Sequence, residues 1–132
     1  MKIIHNILKV LLSLLLLMPV LGTLGVMPEP TRDLYNTDEA FAFIQSLYAS
    51  SYILYTMAIV HVFAIIALWT KREALAALLI APITVNIIGF HIFLDGLFNT
   101  GSLMAVVLCA LNIYFLWKNK ETYKVLLEKK NS

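Results

Sequence analysis

The chain has 132 residues, of which 61% are hydrophobic and only 14% are charged, and its formal net charge is +2. A soluble domain carries about 25% charged residues, so this composition excludes an ordinary soluble domain and indicates contact with lipid. The length allows one domain, residues 1–132, without a second soluble module. The single cysteine, Cys109, excludes an intramolecular disulfide and a paired-cysteine redox motif.

Apolar segments of membrane-spanning length follow one another along the chain. A helix needs about 20 residues to cross the hydrocarbon of a bilayer. The first three segments reach that length, and the fourth reaches it only when it is taken from about Phe98 to Trp117. The sequence therefore predicts an all-α, integral membrane four-helix bundle with spans at about 8–26, 51–69, 74–97 and 99–117.

The basic residues predict how these spans are oriented. Of the ten Lys and Arg residues, only Arg32 lies in the long loop between the first two spans. The other nine flank the opposite side, and cytoplasmic loops carry such an excess of basic residues. We therefore predict an N-in/C-in topology, an outer loop at 27–50 and a cytoplasmic tail at 118–132. The basic residues form no groove-sized patch, so the sequence gives no support for nucleic-acid binding.

The first span has an alternative interpretation as a cleaved signal peptide. Lys2 and Lys9 would form its basic region, and Thr23 and Gly25 could flank a cleavage site. The apolar run at 8–26 is long for a signal peptide, so we expect a retained membrane helix. Cleavage would leave three spans in the same orientation.

The outer loop contains a second helical pattern. Thr37 is a good N-cap residue, and two acidic residues follow it at the positive end of the expected helix. Phe41, Ile44 and Tyr48 recur at helical spacing. We predict a short amphipathic helix at 38–50 that runs on into the second span.

Tyrosines and a His–Asp pair are predicted to lie near the outer surface. Tyr48, Tyr52 and Tyr55 could form an interfacial aromatic belt or the wall of a ligand pocket. His91 and Asp95 are four residues apart and share a helix face. Either a solvated Asp95 steadies His91, or both line an outward pocket with Tyr52, Tyr55 and Thr56. In that pocket His91 could transfer a proton or donate a hydrogen bond to a quinone-like carbonyl.

Further polar residues lie deeper in the predicted spans. Asn86 and Asn112 fall near one level, so we predict an interhelical amide hydrogen bond, with a ligand contact as the alternative. His61 is expected to be a neutral imidazole bonded to a backbone carbonyl or a hydroxyl, and it is also a candidate ligand-binding residue. His61 and His91 differ in depth by about 8 Å, which argues against shared haem ligation. No third ligand with useful spacing indicates a metal site.

Several segments resemble one known family. The run Leu79–Asp95, with the sequence LIAPITVNIIGFHIFLD, is similar to the third-helix motif of DoxX-like membrane proteins. Residues 27–30, 38–44 and 47–52 resemble the first outer loop of that family, and 111–117 with Tyr123 resemble its fourth helix and tail. The resemblance implies a four-helix protein of the bacterial cytoplasmic membrane. Relatives include a small subunit of thiosulfate:quinone oxidoreductase, and distant eukaryotic relatives are assembly factors for receptors.

The resemblance also implies a function. It favours an accessory or quinone-associated subunit of a membrane oxidoreductase complex, with a redox or membrane protein as partner and no stand-alone enzyme activity. The alternative is a non-enzymatic scaffold or assembly factor. Asn86 and His91 match the family motif and are carried over as candidate site residues. Two positions depart from it: the family often has an Asn-Lys pair where this chain has residues 22–25, and Glu where it has His61.

Overall fold

The computed structural model describes residues 1–131, and every regular element there is helical. A 3₁₀ turn at Arg32–Leu34 lies in the loop before the second helix, and a π-helical turn at His91–Asp95 extends the fourth. The α-helices are α1 (Lys2–Thr23), α2 (Asp38–Ser50), α3 (Tyr52–Trp69), α4 (Glu73–Phe90), α5 (Thr100–Lys118) and α6 (Lys120–Leu127). Within the described residues, four helices are long and apolar enough to cross a membrane: α1, α3, α4 with its π turn, and α5. The chain thus has the all-α architecture of a multi-pass membrane protein, as predicted.

The four long helices pack around a shared apolar core. α4 lies between α3 and α5, and α1 packs mainly against α3. Small residues on α3 and α4 are buried where these two helices meet, which lets their backbones approach closely. The largest apolar side chains that are fully buried are Leu12, Leu16, Leu68, Ile80 and Phe115. Two of these belong to α1, so the first helix contributes to the shared core.

The predicted hairpin between the second and third spans is present. Only three residues separate Trp69 from Glu73, so α3 and α4 must run antiparallel. Lys71 adopts a left-handed conformation, with φ at 62°. This residue reverses the chain, and the Arg72 amide closes the turn by donating to the Ala67 carbonyl at 2.9 Å.

The junction between α2 and α3 differs from the prediction of one continuous helix. Ser51 has φ at 65°, which an L-amino acid with a side chain rarely adopts and which breaks the helix. The Ser51 amide donates to Leu47, and its hydroxyl donates to Tyr48. These two bonds stabilise the break. Tyr48 is therefore not in one helical register with Tyr52 and Tyr55.

The end of the third span also departs from a regular α-helix. Residues His91–Asp95 form a π turn, closed by the Gly96 amide, which donates to the His91 carbonyl at 2.6 Å. Gly96 then takes a φ of 93°, which glycine tolerates because it has no Cβ. After this turn Asn99 begins α5 with a reciprocal capping box to Ser102.

Candidate functional site

Asp95 lies inside a polar network at one end of the bundle, which we call the Asp95 network. Its side chain accepts a hydrogen bond from the Asn36 backbone amide at 2.7 Å and another from the Asn99 side-chain amide. The Asn36 side chain donates in turn to the Asp95 carbonyl at 2.9 Å. Asp95 is only 2% exposed. The prediction of a solvated Asp95 is therefore wrong, because the loop before α2 covers its carboxylate.

Thr37 links this loop to the π turn. Its hydroxyl oxygen accepts from the Ala40 amide at 3.1 Å, which confirms its predicted role as the N-cap of α2. The same hydroxyl donates to the Leu94 carbonyl at 2.6 Å. One side chain thus begins α2 and also fixes that helix to the end of α4.

His91 and Asp95 share a face as predicted, but they do not form a direct hydrogen bond. His91 Nδ1 lies 3.6 Å from the nearer Asp95 carboxylate oxygen, beyond hydrogen-bond range. The His91 ring is 7% exposed and packs edge-on against Phe90. A Cβ atom on Gly101 would lie 3.4 Å from His91 Cε1, so α5 closely covers the ring. His91 is thus packed inside the protein rather than open to a ligand.

The structure does not gather Tyr52 and Tyr55 around His91. Tyr52 is 68% exposed and lines a groove between α3 and α4. Tyr55 is 52% exposed and lines a separate depression that it shares with Tyr48. The predicted pocket of these two tyrosines with His91 and Asp95 is therefore wrong. The alternative of an interfacial belt stays a prediction.

Asn86 and Asn112 do not form the predicted clamp. Asn112 is 3% exposed, and its amide donates to the Ala77 carbonyl of α4 at 3.0 Å. Asn86 is exposed on the other side of α4 and donates to the Pro82 carbonyl of its own helix at 2.8 Å. The carbonyl that holds Asn112 is nine positions from Asn86, about 13 Å along the helix. Of the two asparagines, only Asn112 forms a hydrogen bond between α5 and α4.

His61 has the predicted kind of partner. Its ring is fully buried, and Nδ1 donates to the Leu16 carbonyl of α1 at 3.1 Å. This bond places the proton on Nδ1 and leaves Nε2 as a buried acceptor that has no partner within the described chain. His61 thus joins α3 to α1. The candidate role of His61 in ligand binding stays a prediction.

An apolar depression of about 460 Å³ lies between α1, α3 and the loop that precedes α2. We call it the Tyr48 pocket, and its lining includes Met18, Gly22, Leu34, Tyr48, Leu54 and Met57. A Cβ atom on Gly22 would lie 3.6 Å from the Tyr48 hydroxyl oxygen. Within residues 1–131 that hydroxyl has no hydrogen-bond partner. Burial, and secondly the Glu29 carboxylate, raise the pKa of Tyr48.

The opposite end of the bundle carries a charged group, the His5 cluster. His5 Nε2 lies 2.8 Å from a Glu73 carboxylate oxygen, and Lys9 Nζ lies 3.5 Å from the same oxygen. Lys118 Nζ donates to His5 Nδ1 at 2.9 Å, and the Tyr114 hydroxyl lies 3.2 Å from that nitrogen. Side chains of α1, α4 and α5 therefore meet here.

No protein-family model, curated protein or solved structure matches this chain. The resemblance to DoxX-like proteins therefore stays a prediction that rests on the quoted segments. In the part of the chain that the structure describes, no three His, Cys, Asp or Glu side chains form a group that could hold a metal ion.

Sequence reasoning missed two features of these sites. The His5 cluster was missed although His5 and Lys9 are four residues apart and Glu73 begins the third span on the same side. The partners of Asp95 were missed because Asn36 is 59 positions away along the chain. Helical spacing could have indicated the first feature, whereas no local pattern indicates the second.

Proposed function

We propose that this chain is a DoxX-like accessory subunit of an oxidoreductase complex in a bacterial cytoplasmic membrane. Its termini and the His5 cluster would face the cytoplasm, and the Tyr48 pocket would lie at the outer surface. There the pocket would bind the ring of a quinone-like molecule. The observation that carries the proposal is the Tyr48 hydroxyl, a hydrogen-bond donor without a protein partner at the wall of an apolar pocket.

The chemistry of the pocket suits an apolar ring that bears a carbonyl. Small-molecule sites occupy about 300–1,000 Å³ and combine apolar walls with a few polar groups. Methionine and leucine side chains of α1 and α3 supply the apolar walls. A tyrosine hydroxyl is protonated near neutral pH, and burial raises the pKa of Tyr48 further above its ordinary value of 10.0, so this hydroxyl can donate to a carbonyl oxygen. A redox partner would supply the electrons.

Ligand binding can be tested with a short-chain quinone and the full chain in lipid nanodiscs, by equilibrium dialysis. Gly22→Leu would fill the pocket, so we expect binding to be lost. Tyr48→Phe removes one hydrogen bond, which weakens binding about two- to tenfold. Gly22→Ala is the matched control, since its Cβ makes only an ordinary contact. Unchanged binding by Gly22→Leu would refute the assignment of the pocket.

The alternative function is a non-enzymatic scaffold or assembly factor. It is favoured by the Asp95 network, whose carboxylate oxygens both accept hydrogen bonds from this chain. Such a network stabilises the protein and leaves no obvious group for a ligand. Purification from native membranes in mild detergent, followed by mass spectrometry, separates the two functions. A co-purifying quinone or redox enzyme supports the first, and a client membrane protein without a cofactor supports the second.

A further inference from the structure

One face of α4 is left uncovered by the rest of the chain. Its exposed apolar side chains include Leu75, Leu78 and Val85, which are 47%, 46% and 70% exposed. Pro82 and Asn86 are exposed on the same face, at the spacing of three and four residues that places side chains in one stripe. The opposite face of α4 is buried against α3 and α5. We call the uncovered stripe the α4 face.

Asn86 is the unusual member of this face. The span Glu73–Asp95 has its centre at residue 84, so Asn86 lies roughly 3 Å from the middle of the hydrocarbon. One hydrogen of its amide is used by the Pro82 carbonyl. The amide oxygen and the second hydrogen have no partner within the described residues. Polar groups at this depth are costly unless they face a protein partner.

Gly89 lies one turn from Asn86 on the same face. A Cβ atom placed on Gly89 would meet nothing within 4 Å, so no neighbouring group of this chain requires a glycine there. A small residue on an exposed face lets the backbone of another membrane helix approach closely. Gly89 and Asn86 together thus provide a close approach beside an unsatisfied amide.

We propose that the α4 face is a dimer interface with a second copy of this chain. An amide has both a donor and an acceptor, so Asn86 is complementary to the Asn86 of another copy. Two copies inserted in the same orientation can be related by a twofold axis along the membrane normal. That axis would bring each Asn86 to the same depth as its partner, and each amide could then satisfy the other. This proposal is independent of the ligand proposed for the Tyr48 pocket.

Cysteine cross-linking in native membranes tests the contact directly. In a Cys109→Ser background, single variants Leu78→Cys and Gly89→Cys place thiols on the α4 face on either side of Asn86. Ile113→Cys is the matched control, because this position on α5 is 59% exposed but lies on another helix. We expect disulfide-linked dimers for the two α4 variants and none for the control. Absent α4 cross-links, or equal cross-linking at Ile113, would overturn the proposal.

The role of the amide is tested by energy transfer between labelled copies in lipid vesicles. We expect Asn86→Leu to weaken association roughly five- to thirtyfold, and Asn86→Gln to retain most of it. Gly89→Leu should also weaken association, through steric hindrance. Both positions are outside the core of the single chain, so the variants should keep the thermal stability of the monomer, measured at low protein concentration. Association of Asn86→Leu as tight as that of the native chain would contradict the amide contact.

Discussion

The two ends of the bundle are held together by different electrostatics. In the Asp95 network a carboxylate that is 2% exposed is bound by neutral amides. In the His5 cluster a carboxylate whose side chain is 19% exposed is bound by His5 and Lys9. Water cannot reach a buried carboxylate to replace a hydrogen-bond partner that is removed, whereas it can replace a lost partner near the surface. A carboxylate should therefore contribute very differently to stability at the two ends.

The largest effect is expected from Asp95→Ala. The substitution leaves the Asn36 amide and the Asn99 side chain without their acceptor in a buried site. Each buried group without a partner costs about 1–3 kcal/mol, so we expect a loss of about 3 kcal/mol in the free energy of unfolding. Thermal unfolding in detergent measures it. Asp33→Ala, at an exposed carboxylate, is the control, and equal losses for both would show that the Asp95 network is not a stabilising element.

A smaller effect is expected from Asn112→Ala. Loss of its bond to the Ala77 carbonyl should lower the free energy of unfolding by about 1–2 kcal/mol. Asn86→Ala should change it little, because Asn86 bonds only its own helix. The two effects should add, since the amides do not interact. Unfolding of the double variant in mixed detergent at low protein concentration measures this. Strongly non-additive losses in the free energy of unfolding would instead support an interhelical hydrogen bond between the two asparagines.

Glu73→Gln should have a smaller effect that depends on salt. Partly exposed ion pairs contribute about 0.2–1 kcal/mol and are screened by ions. We expect the difference in stability between Glu73→Gln and the native chain to shrink when the salt concentration is raised from about 0.05 M to about 0.5 M. The difference for Asp95→Ala should stay constant. Equal salt dependence of both variants would remove the contrast between the two ends.

The smallest effect is expected from Tyr123→Phe. The Tyr123 hydroxyl donates to the Ala74 carbonyl at 2.7 Å, and burial raises its pKa above the ordinary value of 10.0. The stability that this hydroxyl contributes is fully present below its ordinary pKa. It declines as the pH rises above that pKa, because the unfolded chain then releases the proton first. We expect Tyr123→Phe to cost about 0.5 kcal/mol at pH 7 and to flatten the decline in stability at alkaline pH. Denaturation of both proteins at about pH 7 and about pH 11 would show whether the free energy of unfolding of Tyr123→Phe declines less with pH.

The number of long helices was predictable because length and hydropathy are local properties. The faces of those helices were not, and Asn86 and Asn112 show why. In a soluble protein the apolar stripe of a helix marks its buried side. A membrane helix is apolar all round, and lipid is as apolar as the core, so sequence alone does not tell which asparagine points inward.

The break at Ser51 and the π turn were unpredictable for another reason. Serine is an ordinary helix residue, and its left-handed conformation is fixed here by neighbouring backbone groups. The π turn coincides with bonds from Asn36 and Thr37, which are distant in sequence. The N-cap role of Thr37 and the need of His61 for a hydrogen-bond partner could be predicted, because each depends on the sequence of a single helix.

The π turn also bears on how the length of this chain can vary. A π turn closes each hydrogen bond over one more residue than an α-helix does. Deleting a single residue from His91–Asp95 would allow the segment to close as a regular α-helix, and it would shorten the path between Phe90 and Gly96 by about 1.5 Å. Asp95 would then be displaced from the Asn36 amide, which its carboxylate binds at 2.7 Å. Natural variants should therefore conserve the number of residues between Phe90 and Gly96 more strictly than the identity of those residues.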